Sequence, residues 1–153
     1  MGYVGGVELL SDEAGKLPER QPYHHGDLRA ALMAAALALI DEHGVKGFTL
    51  KDAARMAGVS VAAPYRHFAD KEALLRAIRE EGFAGFDAAL AASGEQSATA
   101  EERILELGMA YVRFAIGHPA HFRVMFGMAG GPKVAQAEMP TGFRLLVEAV
   151  AAA

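Results

Sequence analysis

The sequence predicts an all-α protein. Three observations carry that reading. Alanine dominates while β-branched residues are sparse. No stretch alternates polar and apolar residues with period two. Apolar residues instead recur at spacings of three and four between capping residues and glycines. The chain divides into an arm over 1–22, a three-helix head over 23–70 and a helical region over 71–153.

The arm contains glycine, is mixed in charge and shows no clear period. Arg20, Tyr23, His24 and His25 follow, just before the first helix. That helix is expected from about Asp27 to His43, closed by Gly44, with Leu28, Ala31, Leu32, Ala35, Leu39 and Ile40 as its apolar stripe. Val45 and Phe48 extend the same core, and Phe48 is placed to staple the entry of the second helix.

The next stretch organises the chain. Thr49-Leu50-Lys51-Asp52 is a capping box with Asp in the third position. Leu50, Ala53, Ala54 and Ala57 follow at helical spacing, and Gly58 supplies the left-handed residue that ends a helix. Ser60 is expected to cap a third helix from Val61 to about Phe68. Pro64 falls at its fourth residue, where the missing N–H should cost little. Two short helices joined by a glycine turn have the shape of a helix-turn-helix that sets its second helix in a DNA major groove. Tyr65, Arg66, His67 and Lys71 bring phosphate-compatible donors to that second helix and its exit.

The run G-V-S-V-A-A-P-Y-R-H-F-A-D-K-E-A-L-L resembles the signature of the TetR family of bacterial transcription regulators, over about Leu28 to Ile78. The A-A-P-Y-R-H-F form with an H-H-G-D-L entry is similar to one subgroup. The resemblance implies a homodimer on a near-palindromic double-stranded DNA operator, with Thr49, Tyr65, His67 and Lys71 at phosphates. It places Lys51, Val61, Ala62, Ala63 and Arg66 at base edges or the groove. It also implies repression relieved by a small effector.

Asp70 is expected to cap a long helix carrying Leu74, Leu75, Ile78, Phe83, Phe86 and Leu90, with Gly82 and Gly85 weakening it towards a bend. Ala91 to Ala98 reads as a loop, and Thr99-Ala100-Glu101-Glu102 is a second capping box. Its helix carries Ile104, Leu107, Tyr111, Phe114 and Ala115, stops at Gly117-His118-Pro119, and gives way to a short helix from Pro119 to Phe126. Met109, Tyr111, Phe114, Phe122, Met125, Phe126 and Met128 suggest an aromatic and methionine cluster. It reads equally as core or as a pocket. A pocket for an apolar or amphipathic effector would be lined by Phe83, Phe86, Tyr111, Phe114, Phe122 and Met125. Ala129 to Thr141 reads as a loop, and Thr141 to Val150 as the start of a further helix. The two long dimer-forming helices usual in the resembling family are shortened or missing, so the 71–153 region reads as incomplete.

Composition limits the rest. The 153 residues are 52% hydrophobic and 22% charged, enough for one or two small domains with a core. There is no cysteine, which removes disulfides, iron–sulfur clusters and thiolate zinc sites and suits a cytoplasmic protein. The longest apolar run, Ala30 to Ile40, is too short to span a bilayer, and Met1 to Asp12 lacks the form of a secretion signal. Net charge is −4, unevenly spread. Residues 16–79 hold ten Lys/Arg against seven Asp/Glu, whereas 80–153 hold five against nine. A basic module on an acidic body fits a nucleic-acid head. No cofactor, metal or catalytic constellation is expected: His24-His25-Gly26-Asp27 lacks a completing ligand, and His118 and His121 lack nearby carboxylates. The competing reading is a helical protein-interaction domain without DNA binding.

Overall fold

A computed structural model describes residues 27–93, 97–127 and 141–153. The arm, the residues just before the first helix, Met128 and most of the expected 129–141 loop lie outside the described residues. Among the described residues the chain forms six α-helices and one 3₁₀ turn, with no strand.

Helix α1 (Leu28–His43) opens where the Asp27 carboxylate accepts from the Ala30 N–H at 2.9 Å, and it closes at Gly44, φ +77°. Leu32, Met33, Ala35, Ala36, Leu39 and Ile40 are buried. Leu28 and Ala31, expected in the stripe, are only half-buried. The stripe shifts towards Met33 and Ala36 because α1 packs against both α2 and α5. Helix α2 (Leu50–Met56) carries the expected capping box: the Asp52 N–H donates to Thr49 Oγ1, and the Thr49 N–H donates to Asp52 Oδ2 at 2.8 Å. Its exit is a Schellman motif. The Gly58 N–H donates to Arg55 O and the Val59 N–H to Ala54 O, with Gly58 at φ +72°.

The third helix is shorter and tighter than expected. Only Ala63–Arg66 is helical, as a 3₁₀ turn, and the Ser60 side chain caps nothing. Pro64 explains the difference. An α-helix starting at Val61 needs the residue-64 N–H to reach the Ser60 carbonyl, and proline has none. The Ala63 N–H takes that carbonyl instead, at 3.0 Å, which winds the turn to three residues. The fully buried Pro64 ring and buried Phe68 then anchor the segment to the head.

Helix α3 (Lys71–Ala92) starts where Asp70 accepts from the Ala73 N–H, and it runs unbroken through both glycines. Packing explains Gly82: a Cβ there would lie 2.7 Å from Met125 Sδ, so its absence lets α5 approach closely. Helix α4 (Ala100–Gly117) has the Thr99/Glu102 capping box, and α5 (Pro119–Phe126) begins on proline. Helix α6 (Thr141–Ala152) is held at its start by Asp87 of α3, which accepts from the Thr141 and Gly142 N–H groups at 3.1 and 2.7 Å. One carboxylate thus meets two donors that the helix cannot satisfy itself.

Two apolar clusters result. The head core holds α1, α2, Phe68 and the first half of α3, together with Ala120 and Val124 of α5. The body core holds Phe86, Leu90, Leu107, Ala110, Phe114, Met125 and Ala149. The head core therefore reaches past the expected boundary at residue 70, as far as Ile78. Helix α5 is keyed into both clusters, and Arg123 adds an ion pair to Asp41 of α1 at 3.1 Å.

Candidate nucleic-acid interface

The segment after Gly58 presents its side chains outward. Val61 and Tyr65 are 43% and 52% exposed, and Ala62, Arg66 and His67 are also exposed. Ala63 is half-buried at the start of the 3₁₀ turn. Lys51 is exposed on α2. No hydrogen bond or ion pair joins the side chains of Lys51, Tyr65, Arg66 or His67 to another described residue. The backbone beneath them is fixed by the Schellman turn, Pro64 and Phe68, so free side chains stand on a rigid base. Met56, 48% exposed at the end of α2, is a further apolar group on the head that the α2 stripe did not point to.

Thr49 and Lys71 differ from the expectation. The Thr49 hydroxyl donates to Asp52 Oδ2 at 2.6 Å, so its proton serves the cap rather than an external phosphate. Lys71 Nζ donates to the Phe48 carbonyl at 2.6 Å and lies 4.2 Å from the centre of the Phe48 ring. Burial lowers its pKa, against the opposing effect of Glu72 and Asp52. Its ammonium ties the start of α3 to the entry of α2, because the Phe48 carbonyl is an uncommitted acceptor within reach. Lys71→Met is therefore expected to lower the thermal midpoint while leaving the salt dependence of DNA binding unchanged. A salt slope reduced by about one would return Lys71 to the phosphates.

Asp52 titrates below the usual carboxylate range, first because the Thr49 hydroxyl and N–H donate to it and then because Arg55 pairs with it at 2.9 Å. A carboxylate lowered by folding contributes stability that is present above its unfolded pKa. That contribution is lost as pH falls through the folded value. The acid arm of the stability curve is expected to flatten in Asp52→Asn, as followed by helix content against pH.

The six residues expected to line an effector pocket do come together. Phe86, Phe114 and Met125 are buried and Phe83, Tyr111 and Phe122 half-buried. The rings fill the space with edge-to-face contacts: Phe86 to Tyr111 at 5.5 Å, Phe86 to Phe114 at 5.4 Å and Tyr111 to Phe122 at 5.7 Å. Phe143 of α6 completes the group, 5.9 Å from Phe86. Met109 does not belong to it, being exposed on the opposite side of α4. His118 and His121 lie with ring centres 6.0 Å apart, and a carboxylate is in fact nearby, Glu81 at 3.3 Å from His121. Among the described residues no three His, Asp or Glu gather as a metal site. No helix among them is long and apolar enough to cross a membrane.

The sequence-family model for bacterial regulatory proteins of the tetR family matches residues 32–78, from α1 into α3. A solved structure of a protein with unknown function from Rhodococcus sp. RHA1 is 41% identical, with TM-score 0.65, over 86% of this chain and 72% of that one. A bacterial regulatory protein in the tetR family from Rhodococcus RHA1 is 27% identical, with TM-score 0.58, over 81% and 62%. The chain thus carries the TetR family's N-terminal domain. Its head is that family's helix-turn-helix DNA-binding domain, followed by a helical C-terminal region. A TetR family transcription regulator from Marinobacter aquaeolei VT8 shares the fold at 21% identity, with TM-score 0.62, over 81% of this chain and 65% of that one. The chain spans less than two thirds of the last two of these structures. No curated protein sequence matches it.

Proposed function

We propose that this protein is a ligand-responsive repressor of the TetR family that binds a near-palindromic operator as a dimer. Each subunit lays Val61 to His67 in a major groove. Val61 and Ala62 make apolar contacts with thymine methyls, Arg66 and Lys51 read guanine edges, and Tyr65 and His67 bind phosphates. The observation that carries this reading is the rigid, outward-facing group of Val61, Tyr65, Arg66 and His67, none of it used to hold the fold together.

The effector is apolar or amphipathic and enters the aromatic cluster around Phe86 by parting rings that now touch. Helix α3 runs from the head core to that cluster, and α5 is keyed into both. A ligand favouring one arrangement of these helices biases the placement of the heads, and only such a preference can release DNA.

A gel shift with the DNA upstream of the coding region tests the reading. Retardation of that DNA over an unrelated duplex, weakening steeply between about 50 and 200 mM salt, is the expected result. Equal retardation of both duplexes would remove the sequence-reading role.

A further inference from the structure

A cleft of about 550 Å³ opens where the head meets α5. That lies within the range of small-molecule sites, roughly 300–1,000 Å³. Three elements wall it: the turn 44–47 after α1, the start of α3 and the end of α5. Each wall is held by bonds of its own. The Gly47 N–H closes the turn by donating to Gly44 O at 3.1 Å, and a Cβ at Gly47 would strike His43 O. The Asp70 cap and the Lys71–Phe48 bond hold the start of α3, and the Arg123–Asp41 pair holds α5. The cleft is therefore preformed, which lowers the cost of filling it.

Its lining is mainly apolar, with half-buried Val45 and buried Leu75. The charges around it are uneven. Lys46, Lys71 and Arg123 stand against one lining carboxylate, Glu72. Asp41 neutralises part of Arg123, and Glu42 lies 3.7 Å from His43. Neither Lys46 nor Lys71 touches a carboxylate among the described residues. Lys46 is exposed and bonded to none of them. Lys71 spends one of its three N–H groups on a neutral carbonyl, and burial disfavours its charge. An anion nearby would favour that charge again.

We infer that this cleft is a second small-molecule site, which takes an amphipathic monoanion: a carboxylate carrying a short hydrocarbon chain. Lys46 and the uncommitted N–H groups of Arg123 hold the carboxylate, in the field of Lys71. The chain lies on Val45 and Leu75. None of the lining residues belongs to the aromatic cluster around Phe86, so the two sites are separate. A ligand here bridges the head and α5, the helix keyed into both cores.

Amide NMR of the protein without DNA tests the site, with octanoate as the probe and octylamine as its cationic counterpart. Octanoate is expected to shift Gly44 to Gly47, Lys71 to Leu75 and Arg123 to Gly127 saturably, with a Kd on the order of 1 mM or below. Octylamine should leave those signals in place. Lys46→Glu is expected to weaken octanoate binding by about tenfold, and Lys46→Arg to keep it. Both variants should melt with the wild type, because Lys46 bonds to no described residue. No saturable shift at the three walls, an equal response to octylamine, or a Lys46→Glu affinity equal to the wild type would each overturn the inference. Shifts confined to Tyr111, Phe122 and Phe143 would also overturn it, and would place octanoate in the aromatic cluster instead. Operator binding plays no part in the measurement, so the two readings stand or fall separately.

Discussion

Replacing Phe86 with alanine is expected to destabilise the fold by about 3–5 kcal/mol, the range for a fully buried phenylalanine. Phe86 has no exposed surface, and its ring meets Tyr111 and Phe114 of α4, Phe126 of α5 and Phe143 of α6. Every helix of the body thus converges on one side chain of α3. The loss is a large share of the roughly 5–15 kcal/mol that holds a domain together. Urea unfolding should show it as a lower midpoint. A cavity that persists in the variant should also take up a small aromatic solute such as benzene, which would raise the midpoint again. A change below about 1 kcal/mol would mean that the body does not depend on this packing.

Arg66→Ala is expected to cost about 1–3 kcal/mol of operator affinity and to relax preference at one base pair of each half-site. The reasoning is geometric. Arg66 is exposed, bonded to no described residue and mounted on a 3₁₀ turn that Pro64 and Phe68 fix in place. Removing it should leave the melting temperature unchanged, so the loss can be assigned to the interface. Arg66→Lys should not restore selectivity, because an ammonium cannot make the paired contact of a guanidinium. Fluorescence anisotropy against operators varied one position at a time would separate this outcome from a uniform weakening, which would make Arg66 a phosphate ligand.

What the sequence made legible was local. Thr49 with Asp52, Asp70, and Thr99 with Glu102 reach backbone donors three residues away, so these capping residues locate the starts of α2, α3 and α4 in the sequence, and the structure adds Asp27 as the cap of α1. Gly58 was readable because a tight turn into the next segment needs a positive φ. Features that depend on distant partners were not readable. Lys71 turns inward because the Phe48 carbonyl, 23 residues earlier, lies beside it. Asp87 caps a helix that starts 54 residues later. Gly82 reads from sequence as a weak point in a helix, whereas Met125 of α5 packs directly against it. Met109 looked like core because its composition suits core, and only the orientation of α4 put it outside. Pro64 alters its segment more than its early position in the helix implies. A missing donor early in an eight-residue helix removes much of the α-helical ladder, and the segment became a 3₁₀ turn.

Amide hydrogen exchange on the protein with and without its upstream DNA tests most directly that this short turn is the reading surface. The expected result is slowed exchange from Ser60 to Phe68 and at the start of α2, with the outer face of α4 unchanged by DNA. Tight DNA binding with no new protection between Ser60 and Phe68 would contradict it.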